Sequence, residues 1–359
     1  MSRRDLEARV GSLDQVGGVA ELTYDTGRAR GVRVLQLCTG PLSVDIIADR
    51  ALDIAHARYL GVPFVWQSAN DIAAPAYYDA RGDEWLRSFF GGWLTTCGLS
   101  NFGPAGGDAW GDFGLHGRID NTPAQGVCAA TRWEGERCIL EVAGTVWETK
   151  ALSTRLVLRR RWWSELGSAT LHLEDRVSNE GATRAPHMML YHCNAGFPLV
   201  DATTRVYASC GAITARDAPA AAGLPEWDRG GEPQRGFAEQ VFILEPRAAR
   251  DGKALGAIVN ADLLGGEGLG FEVAFDPAAL PAMFTWRKLG FGDYVMSLEP
   301  ANTPAIEGRA YAAAHNMLPF LEPGEERIYA LEFTSLTGDA LRDSIATIQS
   351  ANATAAAAR

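Results

Sequence analysis

Three separate stretches of the sequence carry side chains that could transfer protons or bind hydroxyl groups. The first is the glycine-rich stretch of residues 91–124, which contains His116, Arg118 and Trp110. Glycine is needed where a backbone approaches a ligand or takes a positive φ, so a long loop of this composition predicts the wall of a pocket. A large irregular surface loop is the alternative interpretation.

The second stretch places a histidine and an amide on the same strand. His192 and Asn194 follow the apolar residues 188–190 and are two positions apart, so their side chains point to one side of the strand. Both side chains can form hydrogen bonds with hydroxyl groups. A histidine whose hydrogen bonds are satisfied within the core is the alternative interpretation.

The third stretch ends an apolar strand with a carboxylate. Glu299 follows the run that begins at Tyr294, and a carboxylate in this position could act as a general base. A carboxylate at the rim of the fold, paired with an arginine, is the alternative.

The elements that must position these residues are predicted to be mostly strands. Residues 32–37 and 138–146 alternate between apolar and polar side chains, as half-buried strands do. The 39 glycines and 17 prolines interrupt such runs at short intervals, which predicts an all-β sandwich or barrel instead of alternating βαβ units. Further strands are predicted at residues 42–47, 154–162, 170–177, 240–244, 269–275, 294–298 and 327–334.

The last part of the chain carries the clearest helix signal. Residues 339–350 have apolar side chains at helical spacing, and the alanine-rich residues 351–359 are expected to form a frayed tail. We therefore expect one β-sandwich domain over residues 1–338, followed by a C-terminal helix and tail over residues 339–359. Residues 216–236 are rich in alanine, glycine and proline and predict a long loop of the kind that often has a function.

Charge and composition argue against several classes of function. The chain has 33 Lys and Arg against 44 Asp and Glu, a net charge of −11, whereas proteins that bind nucleic acids or anionic membranes need a basic excess. No apolar run reaches the ~18 residues of a membrane-spanning helix, and the N-terminus lacks the apolar segment of a secretory signal. The six scattered cysteines are then expected to be reduced thiols in a cytoplasmic protein.

The three stretches resemble motifs of the aldose 1-epimerase, or galactose mutarotase-like, superfamily. Residues 114–118 are similar to its histidine-glycine motif, and residues 191–194 to its second histidine motif. Residues 298–300, followed by residues 321–325, resemble its C-terminal pattern of a catalytic glutamate and a final turn. The resemblance implies a large antiparallel β-sandwich with few short helices.

A closer likeness points to one uncharacterised branch of that superfamily, the DUF4432 family. Residues 49–54, 94–99 and 191–194 carry this likeness. One departure is that residues 193–196 follow the second histidine where the superfamily has an aromatic side chain.

The resemblance implies acid–base chemistry on a small-molecule sugar, without a cofactor or a metal. Glu299 would be the base that takes the proton of the anomeric hydroxyl, and His192 the acid that protonates the ring oxygen. His116 would hold a hydroxyl or the ring oxygen. Substrate contacts are predicted for Arg118, Asn194, Arg50, Glu239, Trp110 and Trp286, with Trp93 as a further candidate.

The substrate and the reaction stay open at this point. The superfamily's sugar-binding arginine has no local counterpart, so Arg50 or Arg118 could serve, and together with Arg309 they leave an anionic sugar open. If His116, His192 and Glu299 converge, they could instead bind a divalent metal, which would favour an isomerase acting on the open-chain sugar. A lyase or an epimerase acting at another carbon, a non-catalytic carbohydrate-binding protein and a homo-oligomeric assembly are further alternatives.

Overall fold

Antiparallel strands form most of the protein in a computed structural model that describes residues 2–357. They make three sheets, of nine, six and five strands, and two short two-stranded ribbons. The all-β prediction is confirmed, and the strands predicted at 42–47 and 269–275 have the same bounds in the structure. The other predicted strands are present, most of them with longer ends.

The nine-stranded sheet forms one side of the molecule's main core. In spatial order its strands are Arg205–Ala208, Lys253–Asn260, Leu269–Phe275, Glu326–Leu336, Thr170–Asn179, Arg155–Glu165, Arg137–Thr149 and Gln125–Glu134, with Ala248–Arg250 also paired to Lys253–Asn260.

The six-stranded sheet carries two of the three stretches singled out above. In spatial order its strands are Cys210–Ala215, Gln240–Pro246, Ala282–Leu289, Tyr294–Ala301, Leu190–Gly196 and Thr95–Cys97.

The five-stranded sheet and the ribbons complete the β-structure. The five strands are Gly18–Thr23, Arg33–Cys38, Leu42–Ile47, Asp53–Tyr59 and Val62–Pro63, and the ribbons pair Ala185–Pro186 with Phe320–Leu321 and Gly106–Asp108 with Gly111–Phe113. One hydrophobic cluster joins all three sheets, with Ile46, Leu158 and Leu298 among its fully buried members.

Helices are few, as expected. The α-helices are Arg3–Glu7, Ala218–Gly223, Arg309–Ala314 and Gly338–Ala357, and single 3₁₀ turns occur at Leu13–Gln15, Gly27–Ala29, Pro75–Tyr77, Glu84–Arg87, Ile119–Asn121, Leu224–Glu226 and Leu264–Gly266. Within residues 2–357, none of the helices combines the length and apolar character that crossing a membrane requires.

Two boundaries differ from the sequence-based expectations. The C-terminal helix continues to Ala357, so the tail expected from residue 351 is helical over most of its length, because alanine is the best helix former. The last two residues of the expected tail, 358 and 359, lie outside the described part of the chain. The loop expected over residues 216–236 contains the helix Ala218–Gly223, which begins because the Asp217 side chain accepts a hydrogen bond from the Ala220 N–H.

A buried charge network connects all three sheets. Arg160 lies on an inward-facing position of Arg155–Glu165, and its guanidinium pairs with Asp53 and Asp175 at 2.6 Å each. It also donates to the hydroxyl of Thr96 at 2.9 Å, and Asp175 accepts the hydroxyl of Tyr191 at 2.9 Å. The network therefore fixes the strand that contains His192 against the strands opposite.

We expect Arg160→Met to lower the free energy of unfolding by about 3–5 kcal/mol, because the substitution leaves Asp53 and Asp175 buried without a positive partner. Urea denaturation followed by circular dichroism measures this loss. The matched control is Arg161→Met, which removes an ion pair with Glu141 on the partly exposed face and should cost about 1 kcal/mol or less. Equal losses in the two variants would contradict the role given to the network.

Candidate active site

A pocket of about 740 Å³ opens over the six-stranded sheet, a size typical of small-molecule sites. His192, Glu299 and Trp286 line it from three consecutive strands of that sheet, and His116 lines it from the glycine-rich loop. The structure thus brings the three predicted catalytic residues to one cavity, together with two of the predicted contacts, Trp286 and Glu239. Their roles stay predictions.

His192 and Glu299 face each other because of the register of their strands. Leu190 pairs with Ala301 and Cys193 with Leu298, which puts position 192 directly opposite position 299. His192 Nε2 lies 3.4 Å from Glu299 Oε1, and the two residues are 6% and 2% exposed. Facing side chains on neighbouring strands are held close without any loop.

Two consecutive hydrogen bonds, which begin at a backbone N–H of the neighbouring strand, support the Glu299 carboxylate. The hydroxyl of Ser297 donates to Glu299 Oε1, and Ser297 Oγ accepts the backbone N–H of Trp286 at 2.8 Å. Because the backbone N–H fixes the serine oxygen as acceptor, the serine proton is directed at the glutamate.

His116 reaches the pocket from a tightly bent backbone. Its φ is 55°, and the following Gly117 has a φ of 78°. A Cβ on Gly117 would lie 2.2 Å from the carbonyl oxygen of Gly98, so only glycine fits there. The N–H of Gly103 donates to His116 Nδ1 at 3.3 Å, which leaves the neutral ring with its proton on Nε2.

Arg309 holds the glycine-rich loop in place. Its guanidinium pairs with Asp108 at 2.7 Å and donates to the carbonyl oxygens of Ser100 and Gly111 at 3.2 and 3.0 Å. Its side chain is therefore committed within the protein and is not free to bind an anionic sugar.

Burial shifts the pKa values of the three candidate catalytic groups. Loss of solvent raises the pKa of Glu299 to about 7, against the opposing effects of the Ser297 hydrogen bond and of Arg216. The same cause lowers the pKa of His192 to about 4 and that of His116 to about 3. Near neutral pH both histidines are uncharged, and the carboxyl group is close to half protonated.

The ring of His192 is less well anchored than that of His116. Among the described residues, no group bonds to His192 Nδ1 with good geometry, although the Asn194 side chain lies close enough to raise the pKa of the histidine. Since His192 Nε2 and Glu299 Oε1 are nearly in hydrogen-bonding contact, one proton can be exchanged between the two groups.

Aromatic rings form the walls around the histidines. The ring centroids of Trp286 and Phe89 lie 5.5 and 5.4 Å from that of His192, and Trp85 lies 4.8 Å from His116. Such faces suit the apolar C–H surface of a sugar ring. Trp286 is predicted from the sequence, whereas Trp85 and Phe89 are not, although they are four residues apart and the Phe89 N–H donates to the Trp85 carbonyl oxygen in a helical turn.

Four predicted substrate contacts do not line the pocket. Arg50 is fully buried and pairs with Asp120 at 2.9 Å, so its charge is already neutralised. The Asn194 amide donates to the carbonyl oxygens of Gly92 and His192 at 3.2 and 3.1 Å, inside the sheet.

The other two lie on the surface. Arg118 is exposed outside the pocket, and Trp110 packs against Phe320 with the ring centroids 5.1 Å apart. The further candidate, Trp93, is fully buried against Phe64 and Phe333 in the core.

The mouth of the pocket has more carboxylates than cations. Arg216 pairs with Asp217 and Glu239 at 2.7 and 2.8 Å, and Lys288 donates to the carbonyl oxygen of Phe237 at 2.7 Å. Both cations escaped the sequence analysis, although Arg216 begins the loop that was expected to be functional. The acidic lining residues are Asp83, Asp217, Glu239, Asp293, Glu299 and Glu307.

Over residues 2–357, no three His, Cys, Asp or Glu side chains are arranged as metal ligands. Of the three candidate catalytic residues, only His192 and Glu299 lie within ion-pairing distance of each other, with His192 Nε2 3.4 Å from Glu299 Oε1.

The raised pKa of Glu299 predicts a stability cost at high pH. The folded protein binds this proton more tightly than the unfolded chain, whose carboxyl has a pKa of 4.5, so the contribution to stability is complete below pH 4.5 and is lost as the pH rises through about 7. We expect Glu299→Gln to be more stable than the wild type by about 1–3 kcal/mol at pH 8 and by much less at pH 5.

Urea denaturation at the two pH values measures this difference. Glu239→Gln, at the exposed rim of the same pocket, is the control and should change little. The lowered pKa values of His192 and His116 act in the opposite direction, because their contribution is present above pH 6.5 and is lost as the pH falls through about 4 and 3. A Glu299→Gln variant that is less stable than the wild type at pH 8 would contradict the burial argument.

Comparison with solved structures identifies relatives of this fold. A proposed aldose 1-epimerase of Klebsiella pneumoniae matches with a TM-score of 0.84 at 22% identity, over 94% of this chain and 87% of the other. A galactose mutarotase-like protein of Clostridium acetobutylicum matches with a TM-score of 0.59 at 13% identity, over 90% and 99%. The galactose 1-epimerase of Lactobacillus acidophilus matches with a TM-score of 0.52 at 13% identity, over 90% and 99%.

These identities establish a shared fold, the galactose mutarotase-like β-sandwich, and nothing more specific. No curated protein matches the sequence. The model of the family described as a domain of unknown function, DUF4432, matches residues 29–335, which is most of the 359-residue chain. The chain therefore belongs to the DUF4432 family.

Proposed function

We propose that this protein is an aldose 1-epimerase, an isomerase that interconverts the two anomers of a sugar. The observation that carries the proposal is the buried pair of His192 and Glu299, 3.4 Å apart, at the bottom of an aromatic-walled pocket. The similarity of the fold to proteins named as aldose or galactose 1-epimerases supports the same reaction class.

The spacing of the pair suits the two oxygens that exchange protons in this reaction. The anomeric hydroxyl and the ring oxygen are bonded to the same carbon, so adjacent acid and base groups can contact both at once. In the reactive form of the pair, the shared proton has moved from Glu299 to His192. Glu299 then takes the proton of the anomeric hydroxyl while the His192 imidazolium gives its proton to the ring oxygen, and the bond between C1 and the ring oxygen breaks. A base with a pKa of about 7 is well matched to neutral pH.

Ring closure reverses these transfers and restores both groups. The open-chain aldehyde rotates, and the new hydroxyl at C5 attacks C1 from the other face. His192 takes back the hydroxyl proton, and Glu299 returns its proton to the carbonyl oxygen. The proton shared by the pair is conserved over the cycle, so the reaction requires no cofactor.

His116 is suited to hold the sugar in the ring-opening geometry. The Gly103 N–H occupies Nδ1, so Nε2–H is available to donate to a hydroxyl or to the ring oxygen. Its low pKa keeps the ring neutral, so it acts as a hydrogen-bond donor. Trp286, which is partly exposed, offers a face for the sugar's C–H groups, and the buried Trp85 packs against His116.

We expect Glu299→Gln and His192→Gln each to reduce kcat for mutarotation by about 10²–10⁴-fold, because each removes one proton-transfer group. The double variant should be little worse than the poorer single variant, since both groups act in one step. Polarimetry or NMR of freshly dissolved pure anomers measures the rates. His172→Gln, on the nine-stranded sheet, is the control and should retain full activity.

Sugar binding without acceleration in the wild type would favour a non-catalytic carbohydrate-binding protein. Incorporation of solvent deuterium at a carbon would instead favour an epimerase or lyase that breaks a C–H bond, because mutarotation exchanges only oxygen-bound protons.

The charges of the pocket favour an uncharged sugar over a phosphorylated or acidic one. Arg216 is neutralised by Glu239 and Asp217, and Lys288 has one of its three donors committed to a backbone carbonyl. Among the described residues, six carboxyl groups and only these two cations line the pocket, so an anion would face an excess of negative charge.

We expect kcat/KM for an unmodified aldose to exceed that for its 6-phosphate by about tenfold or more at low salt, and the gap to narrow as salt screens the carboxylates. Rates for the two sugars at two ionic strengths measure this. Glu307→Gln, which removes one rim charge, should narrow the gap as well. An equal or higher kcat/KM for the phosphate would contradict the inference about substrate charge.

A further inference from the structure

A buried ion pair lies directly behind the pocket wall without reaching the pocket. Arg50 and Asp120 are both 0% exposed, and Arg50 Nη2 lies 2.9 Å from Asp120 Oδ2. The same guanidinium donates to the carbonyl oxygens of Ala73 and Ser88, at 3.2 and 3.0 Å. Arg50 therefore anchors Asp120 to two segments that flank the pocket.

The second oxygen of Asp120 is used by a pocket residue. Trp85 Nε1 donates to Asp120 Oδ1 at 3.0 Å, and the Asn121 amide donates to Oδ2 at 2.9 Å. One carboxylate thus accepts hydrogen bonds from three side chains. An amide in its place has a single oxygen, so it would leave at least one of these donors unpaired in the interior.

The ring contacts of Trp85 connect Asp120 to the two pocket histidines. Its ring lies 4.8 Å from that of His116 and stacks on Phe89 at 4.5 Å, and Phe89 in turn lies 5.4 Å from His192. Trp85 is 2% exposed, so its indole cannot turn without opening a gap behind the pocket.

We propose that Asp120 is a positioning residue which, anchored by Arg50, fixes the Trp85 indole and through it the ring of His116. Its effect on catalysis rests on the function proposed above, whereas its effect on the geometry of His116 does not. The inference explains why Arg50 and the glycine-rich stretch both stand out in the sequence although neither Arg50 nor Asp120 lines the pocket.

A double-mutant cycle tests the path through Trp85. We expect Asp120→Asn to lower kcat/KM for mutarotation by about tenfold, since small displacements of a substrate-holding group are costly. Trp85→Phe keeps an aromatic ring but removes the N–H. Once the N–H is absent, Asp120→Asn should lower kcat/KM much less than it does in the wild type, because the two residues act as a unit. If Asp120→Asn lowers kcat/KM by the same factor in the wild type and in Trp85→Phe, Asp120 does not act through the Trp85 N–H and the inference is overturned.

A second readout does not depend on catalysis. In NMR spectra of protein labelled at histidine and assigned with His116→Gln, the ring signals of His116 should shift in Asp120→Asn. The control is Glu272→Gln, another buried carboxylate that pairs with an arginine, Arg250, and lies away from the pocket. This control should lose stability but keep both the His116 signals and kcat/KM.

The two proposals fail in different ways. If Asp120→Asn lowers the unfolding temperature but leaves the His116 signals and kcat/KM unchanged, Asp120 has only a structural role and the inference is overturned. If the wild type accelerates no sugar but the His116 signals still shift, the positioning role stands and the epimerase proposal fails.

Discussion

The contact between His192 and Glu299 across two neighbouring strands is the interaction on which the functional site depends. Both groups are nearly inaccessible to water, and within residues 2–357 no arginine or lysine forms an ion pair with Glu299. Burying ionisable groups in this way costs free energy unless they share a proton or change their protonation state. The strand register enforces this costly arrangement, so part of the free energy of folding is used to shift the pKa values of Glu299 and His192.

The rest of the fold resists relaxation of that contact. Arg160 connects the strand of His192 to the opposite layers through two buried carboxylates, and Arg309 holds the loop that presents His116. Each of these arginines is buried and fully committed to structure. The protein therefore uses buried ion pairs of arginine to hold its strands and loops, whereas the groups suited to proton transfer are paired only with each other, a division typical of sites in which reactivity requires destabilised groups.

The sequence predicted the fold better than it predicted the composition of the pocket. Alternation gave strands such as Leu42–Ile47 with the correct bounds, and the resemblance brought three distant segments to one cavity. The sequence did not distinguish Trp85, which lines the pocket, from Trp93, which is in the core, because the location of each tryptophan depends on which sheets pack together. Arg50 failed as a sugar contact for a similar reason, since its partner Asp120 is 70 residues away in the chain.

Gly117 limits how the site can vary. A single added carbon there would overlap the carbonyl oxygens of both Gly98 and Asn101, at 2.2 and 2.6 Å, and all of these atoms belong to backbone that cannot turn aside. Variation of the pocket is therefore possible at the acidic mouth, where side chains are exposed and replaceable, but not at this bend. Libraries that aim to change which ligand the pocket accepts should leave the histidine-bearing turn untouched and diversify the opposite rim.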